Sequence, residues 1–308
     1  MIILQDDQME FLKNKGYKPS ATLVHITGKK RKFYHVLSEF DIKEQERKWA
    51  LDNSLGEHLK FKSGELCLYP AYTGNDDDDS SSDEESEFLG GEGAKRTGSS
   101  TRDLLYIAGR SGAGKSTIMS KYAVEYNKVN PKNKIVMITA TNPLHEDGIA
   151  GDNFRKLKTL VFDVSKPEVV ASNFLSDCNL SLDDIADSLL IVDDVEALLN
   201  RAHHKAIMNF VNQVLMQGRH FRISVCMSRH LAAGGQDTKT IINESRWVVT
   251  FPYAGGNLNY FYKNHCDINT DEDKRYIKGA GSRYIFVHKS NPNFMFGERF
   301  IKPIADNL

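Results

Sequence analysis

Apolar and polar positions follow two different rhythms along this chain. In the first seventy residues they alternate: ATLVHIT (21–27) and KFYHVL (32–37) flank the basic turn GKKRK, which predicts a β-hairpin. Ser38, followed by Glu39 and Asp41, has the form of a helix N-cap and predicts a helix to about Asn53. LKFK and ELCLYP, separated by Ser63 and Gly64, predict a second hairpin. From residue 104 the strands become short continuous apolar runs rich in Val and Ile: LLYIA (104–108), KIVMITA (134–140), LVFDV (160–164), LLIVDD (189–194), ISVCMS (223–228), RWVVTF (246–251) and RYIFVHK (283–289). Such runs read as strands buried on both faces. Ile207, Phe210, Val211, Val214 and Leu215 recur at helical spacing between two of them and predict an amphipathic helix. Strands alternating with helices predict a mainly parallel sheet flanked by helices, an α/β fold, preceded by a small α+β domain.

Residues 73–100 break both rhythms. Their one short apolar pair, Phe88 and Leu89, lies in a stretch dominated by Gly, Ser and acids, too polar to offset the entropy of ordering. The expected organisation is therefore a small α+β domain over residues 1–72, an acidic flexible linker over 73–100, and an α/β domain over 101–308. Residues 76–87 (DDDDSSSDEESE) carry eight acids and no base, so the formal charge of −1 conceals a remainder of 40 basic against 33 acidic residues, formally +7. A mildly basic body fits a protein that meets a polyanion. Ser80, Ser81 and Ser82 each precede an acid by three positions, a pattern similar to the substrates of acidophilic kinases.

Composition removes several classes. The 308 residues are 40% hydrophobic and 26% charged, which excludes wholesale disorder. No apolar run approaches the length of a membrane span, and the acidic start MIILQDDQME differs from a signal peptide, so a soluble, unprocessed protein is expected. Cys67, Cys178, Cys226 and Cys266 form no CxxC pair, which argues against a disulfide framework or zinc ribbon and for a reducing compartment. His203 and His204 have no Cys or acid at ligand spacing and are expected to face solvent.

Chemistry enters directly after the strand LLYIA. Gly109, Arg110, Ser111, Gly112, Ala113, Gly114, Lys115, Ser116 and Thr117 match GxxxxGK[ST] and lead into a helical stretch, STIMSKYAVEYNKV. Glycines let backbone N–H groups wrap phosphates, Lys115 supplies a cation to the β- and γ-phosphates of ATP, and Ser116 offers a hydroxyl to Mg2+. SLLIVDD supplies the second acid such a loop needs. Asp193 would hold magnesium and Asp194 would polarise the attacking water, with Glu196 as the substitute base. Small-molecule kinases seldom pair the loop with this strand ending and a following long helix, which favours hydrolysis over transfer.

The combination GRSGAGKS, SLLIVDDV, a helix, QGRHFRIS and TKTIINESRWVVTFP resembles the viral genome-packaging ATPases of large DNA viruses, the poxvirus-type branch of the FtsK and HerA motor ATPases, over about residues 104–301. That resemblance implies an ATP- and magnesium-dependent motor, a ring homo-oligomer acting on double-stranded DNA, capsid or other virion proteins as partners, and a place in the virion or a cytoplasmic assembly site. It implies Lys115 and Ser116 at the phosphates and metal, Asp193 as metal acid, Asp194 for water activation, and a polar sensor ending ISVCMS. A Gln is common there, whereas this chain has Ser228, Arg229 and His230. A ring motor needs a cation reaching the neighbour's γ-phosphate. Arg219, Arg229 and Arg246 are the candidates in that order, while residues 141–156 and 231–239 are the candidate pore loops. A helicase-like remodelling motor and a nucleotide-switched structural virion protein are the alternative functions.

Overall fold

The computed structural model describes residues 1–73, 102–140, 154, 156–164, 181–230, 236–253 and 258–304. These form two compact units. One combines residues 1–70 with 259–304, and the other holds 71–73 with 102–258. Residues 259–304, expected in the α/β domain, group with the N-terminal segment in the first of these units.

In chain order the first unit begins with β1 (Ile2–Leu4), α1 (Asp6–Lys13), β2 (Ala21–Thr27), β3 (Lys30–Leu37), α2 (Glu44–Asp52), β4 (Leu59–Lys60) and β5 (Glu65–Tyr69). The second contains β6 (Leu104–Ala108), α3 (Lys115–Val129), β7 (Lys134–Thr139), β8 (Thr159–Asp163), β9 (Ser188–Asp193), α4 (Arg201–Gln217), β10 (Ser224–Arg229), α5 (Gln236–Glu244) and β11 (Trp247–Thr250). The chain closes with α6 (Leu258–His265), α7 (Asp271–Gly279), β12 (Ile285–His288), β13 (Phe294–Gly297) and β14 (Phe300–Pro303).

The first unit is antiparallel. β2 and β3 form the expected hairpin, with Val24 opposite Phe33 and Thr27 opposite Lys30, and β1 and β5 add on either side in the order β1-β3-β2-β5. Three expectations change here. Ser38 does cap, accepting from Phe40 N, but it caps a single 3-10 turn, Glu39–Asp41, and α2 starts only at Glu44. The strands in LKFK and ELCLYP do not pair with each other. β4 pairs with β14, while β5 pairs with β2. RYIFVHK supplies β12, which runs antiparallel to β13, where a parallel neighbour was expected. Tyr284 fastens this C-terminal piece to the N-terminal one by donating its hydroxyl to Glu65 Oε1 at 2.8 Å and Leu66 O at 3.0 Å.

The second unit is a six-stranded, wholly parallel sheet in the order β11-β6-β10-β9-β7-β8. Its strands are apolar because helices cover them: Leu105, Tyr106, Ile107, Val136, Ile191, Val192 and Val249 are all at most 1% exposed. The predicted stripe on α4 faces this core through Ile207, Val211, Val214 and Leu215. Asn200 opens α4, its side chain accepting from the N–H groups of Ala202 and His203.

Residues 71–73 are bolted to the edge of this unit where the strands begin. Asp103 Oδ2 accepts from Ala71 N at 2.9 Å and from Tyr122 Oη at 2.7 Å. Asn130 Oδ1 accepts from Thr73 N at 2.9 Å and its Nδ2 donates to Ala71 O at 3.1 Å. Arg102 is fixed at the same edge, donating to Val214 O at 3.0 Å and Leu215 O at 2.6 Å. Residues 74–101, the expected acidic linker, lie outside the described residues.

Two outcomes follow from this anchoring. Replacing residues 75–100 by a short Gly/Ser segment leaves the melting temperature within about 2 °C of the parent, since loop closure depends only weakly on length. Asn130→Ala strands the buried Thr73 N–H and lowers stability by about 1–3 kcal/mol in urea unfolding.

Candidate functional site

Everything the sequence nominates for nucleotide chemistry lies at the edge where the parallel strands end. β6 delivers Gly109, β9 delivers Asp193 and Asp194, and β10, lying between them, delivers Ser228. The register is direct: Ser228 stands opposite Ile107, and Met227 opposite Val192.

The loop from Gly109 to Gly114 has the backbone that only glycine adopts cheaply. Gly112 and Gly114 have φ of +75° and +104°. Gly109 is required for space: a Cβ there would stand 2.6 Å from the Phe251 ring and 3.2 Å from Ala113 Cβ. Gly109 N donates to Arg229 O at 3.0 Å, tying the loop to β10. Arg110, Ser111 and Thr117 are exposed, and Ala113 and Ser116 are half-buried. Lys115 is 5% exposed at the first position of α3, and its Nζ donates to Arg110 O at 3.3 Å. A buried ammonium held by one loop carbonyl, inside a ring of N–H groups at a helix N-terminus, fits a polyphosphate.

Asp193 is 1% exposed. The Ser228 hydroxyl donates to its Oδ1. Burial pushes its carboxyl above the usual carboxylate range and the Asp194 charge adds to this, while the hydroxyls of Ser228 and Ser116 and the Lys115 ammonium pull the other way. Lys115, Ser116, Asp193 and Ser228 thus converge on one point. A hydroxyl beside a buried carboxylate that is costly to ionise fits a hard divalent cation, with Ser116 and Asp193 as the protein ligands.

Asp194 occupies the left-handed region, φ +51°, ψ +25°, a conformation costing a non-glycine residue about 1–2 kcal/mol. It caps the 3-10 turn Val195–Ala197, and its Oδ1 lies 3.2 Å from His230 Nε2. Glu196 is occupied: Oε1 lies 2.5 Å from Arg229 Nε and Oε2 accepts from His230 N at 2.9 Å. Glu196 is thus held by both Arg229 and His230, whereas Asp194 meets His230 alone among the contacts described above.

Of the three arginine candidates, Arg229 lies at this edge and the other two lie away from it. Arg229 is 6% exposed and paired inside its own chain. Arg219 is exposed, but it precedes β10, whose six residues, at about 3.3 Å each, separate it by roughly 16 Å from the strand ends of its own site. Arg246, half-buried, precedes β11 at the same far edge. The segment QGRHFRIS has a structural reason that its sequence hides. Gly218 follows the last residue of α4 as its C-cap, in a right-handed conformation. It leaves room for Arg102, since a Cβ would sit 2.4 Å from Val214 O and 2.7 Å from Arg102 Nη1. Arg222 forms a two-pronged pair with Asp187, at 2.5 and 2.7 Å. The candidate pore loops fall mostly outside the described residues, as do Ser80–Ser82 and Cys178. Lys239 is an exposed residue of α5. His203 and His204 are half-exposed on α4, and no metal-binding cluster of three or more His, Cys, Asp or Glu occurs among the described residues. Cys226 and Cys266 are buried free thiols, the latter pushed up to about 12 by burial, which makes both poor nucleophiles. No helix among the described residues is long and apolar enough to cross a membrane.

A phosphate loop on a parallel sheet, with a metal-type acid one strand removed, defines a P-loop ATPase, and residues 96–233 match the family model described as AAA domain. The chain is similar to the uncharacterized protein V3 of Sputnik virophage, 29% identical over 206 residues, which are 66% of this chain and 78% of that protein. Its structural neighbours include the DNA-packaging ATPase B204 of Sulfolobus turreted icosahedral virus, 16% identical, TM-score 0.43, covering 66% of this chain and 98% of that one. Another is the pCW3 conjugation coupling protein TcpA with ATPγS, 11% identical, TM-score 0.44, covering 92% and 77%.

Asp193→Asn tests the metal acid without disturbing the hydroxyl that faces it. A native carboxyl that holds its proton more tightly than the unfolded chain's loses stability as pH rises from the ordinary carboxylate value through its raised one, and none below both. The nucleotide-free variant therefore melts at or above the parent at pH 7–8, the difference closing near pH 4, while its ATP hydrolysis is lost. Gly109→Ala costs about 1–3 kcal/mol and weakens nucleotide binding, and adding Phe251→Leu restores both, as read by thermal melts and fluorescent-nucleotide titration.

Proposed function

We propose that this ATPase hydrolyses ATP with magnesium at the interfaces of a ring of identical subunits and drives double-stranded viral DNA into a capsid. The observation that carries the reading is the division of the site. The groups proposed for phosphate, metal and water lie together in one chain, whereas the exposed Arg219 stands at the opposite edge of the same sheet, which favours a role toward a neighbouring copy over one in its own site.

In this reading Lys115 and the N–H groups of residues 109–116 hold the β- and γ-phosphates. Ser116 and Asp193 hold the magnesium ion, which when bound neutralises charge on the phosphate oxygens. Asp194 orients the attacking water, Ser228 holds Asp193 in register with the loop, and Arg219 of the adjacent subunit meets charge building on the γ-phosphate. A body formally +7 outside the acidic run suits contact with the DNA backbone, in which phosphate contacts dominate and sequence matters little. Capsid or other virion proteins complete the proposed machine.

The test is steady-state ATP hydrolysis by the full chain at one fixed salt concentration, with and without linear double-stranded DNA, beside Lys115→Ala. Several-fold stimulation by DNA and a dead variant are expected; turnover indifferent to DNA overturns the motor. Chelating magnesium abolishes the activity. Arg219→Ala retains nucleotide binding and loses turnover, and mixing it with Lys115→Ala subunits recovers part of the activity, because mixed interfaces then contain one intact site.

A further inference from the structure

An Arg229–Glu196 ion pair and a His230–Asp194 contact join the turn after β9 to the end of β10, beside the hydrolytic site. Arg229 is the last residue of β10. Its carbonyl accepts from Gly109 N at 3.0 Å, its Nε lies 2.5 Å from Glu196 Oε1, and its Nη1 reaches Met208 Sδ on α4 at 3.7 Å. The next residue, His230, donates its N–H to Glu196 Oε2 at 2.9 Å and brings Nε2 to 3.2 Å from Asp194 Oδ1. One guanidinium therefore contacts the turn carrying Asp194 through its side chain and the first phosphate-loop glycine through its backbone.

This arrangement bears on the conformation of Asp194. Its left-handed backbone is unfavourable for an aspartate, and it is followed by only a three-residue 3-10 turn, Val195–Ala197, too short to impose the conformation alone. Glu196 is the middle residue of that turn, so anchoring Glu196 anchors the turn. The anchor is buried on its arginine side, at 7% side-chain exposure against 23% for Glu196, which shields the pair from solvent and salt.

Building on ATP hydrolysis at this site, we infer that Arg229 is a positioning residue acting within its own subunit: through Glu196 it holds the strained turn that presents Asp194 to the attacking water, in register with Gly109, and it is not the cation delivered to a neighbouring site. His230 supports the same turn from the Asp194 side. The inference depends on basal hydrolysis alone, so it stands or falls separately from DNA translocation.

Removing one partner of a buried pair leaves the other uncompensated, so Arg229→Met alone can fail to fold. The test therefore uses Arg229→Lys and the double variant Arg229→Met/Glu196→Gln, which removes both charges together. Fluorescent ATP-analogue affinity and DNA-free single-turnover hydrolysis are measured on the full chain for each. The double variant keeps its nucleotide affinity within about threefold and loses about ten- to a hundredfold in the hydrolysis rate, the scale set by misplacing a reacting group by about 1 Å. Arg229→Lys retains the ion pair and recovers most of the rate. Mixing the double variant with Lys115→Ala subunits recovers nothing, in contrast to Arg219→Ala, because its defect lies in its own site. Full hydrolysis by the double variant, or recovery on mixing, overturns the inference; loss of DNA stimulation with basal rates behaving as stated overturns only the motor reading.

Discussion

The parallel insertion of β10 between β6 and β9 is the constraint on which the site depends. Neither the phosphate loop nor the acidic strand end can work alone, and they are not adjacent. β10 sets their spacing through its ladders to both neighbours, and its last residues connect them: Ser228 reaches Asp193, Arg229 reaches Gly109 with its backbone and Glu196 with its side chain, and His230 reaches Asp194. A shift of one residue in this register would turn every one of these side chains to the other face.

The same edge concentrates the unfavourable features of the unit. Asp193 is buried and costly to ionise, Asp194 is left-handed, Lys115 is a buried ammonium, and three glycines hold the loop between them. At the opposite edge the polar groups are satisfied and structural: Arg102 covers the last carbonyls of α4, Asp103 and Asn130 hold residues 71–73, and Arg222 pairs with Asp187. Stability is therefore built at one end of the strands and spent at the other, the usual division in open α/β sheets, where ligands sit at the carboxyl ends.

Much of this was legible in advance. GRSGAGKS identified its own chemistry because phosphate wrapping demands glycine at set spacing, and SLLIVDD identified its strand because four apolar residues before two acids have few other uses. QGRHFRIS looked equally functional, yet Gly218 and Arg222 serve packing and an ion pair. Their partners, Arg102 and Asp187, lie 116 and 35 residues away, a distance across which no local pattern speaks. Glu196 and Arg229 were nominated separately, as a base and as a finger, and only their 2.5 Å separation shows that each occupies the other.

The sequence by itself determined the elements with strong periods and the loop with obligatory glycines, because those depend on local sterics and on burial that repeats along the chain. Tertiary structure alone decided that residues 259–304 join the N-terminal unit and that β4 and β5 take distant partners instead of each other. It also decided which arginine is bound within the chain and which is exposed. The physical reason is common to these: a strand edge, a carboxylate or a guanidinium is satisfied by any complementary group that folding brings within reach, and its own sequence neighbourhood carries no record of which one that is.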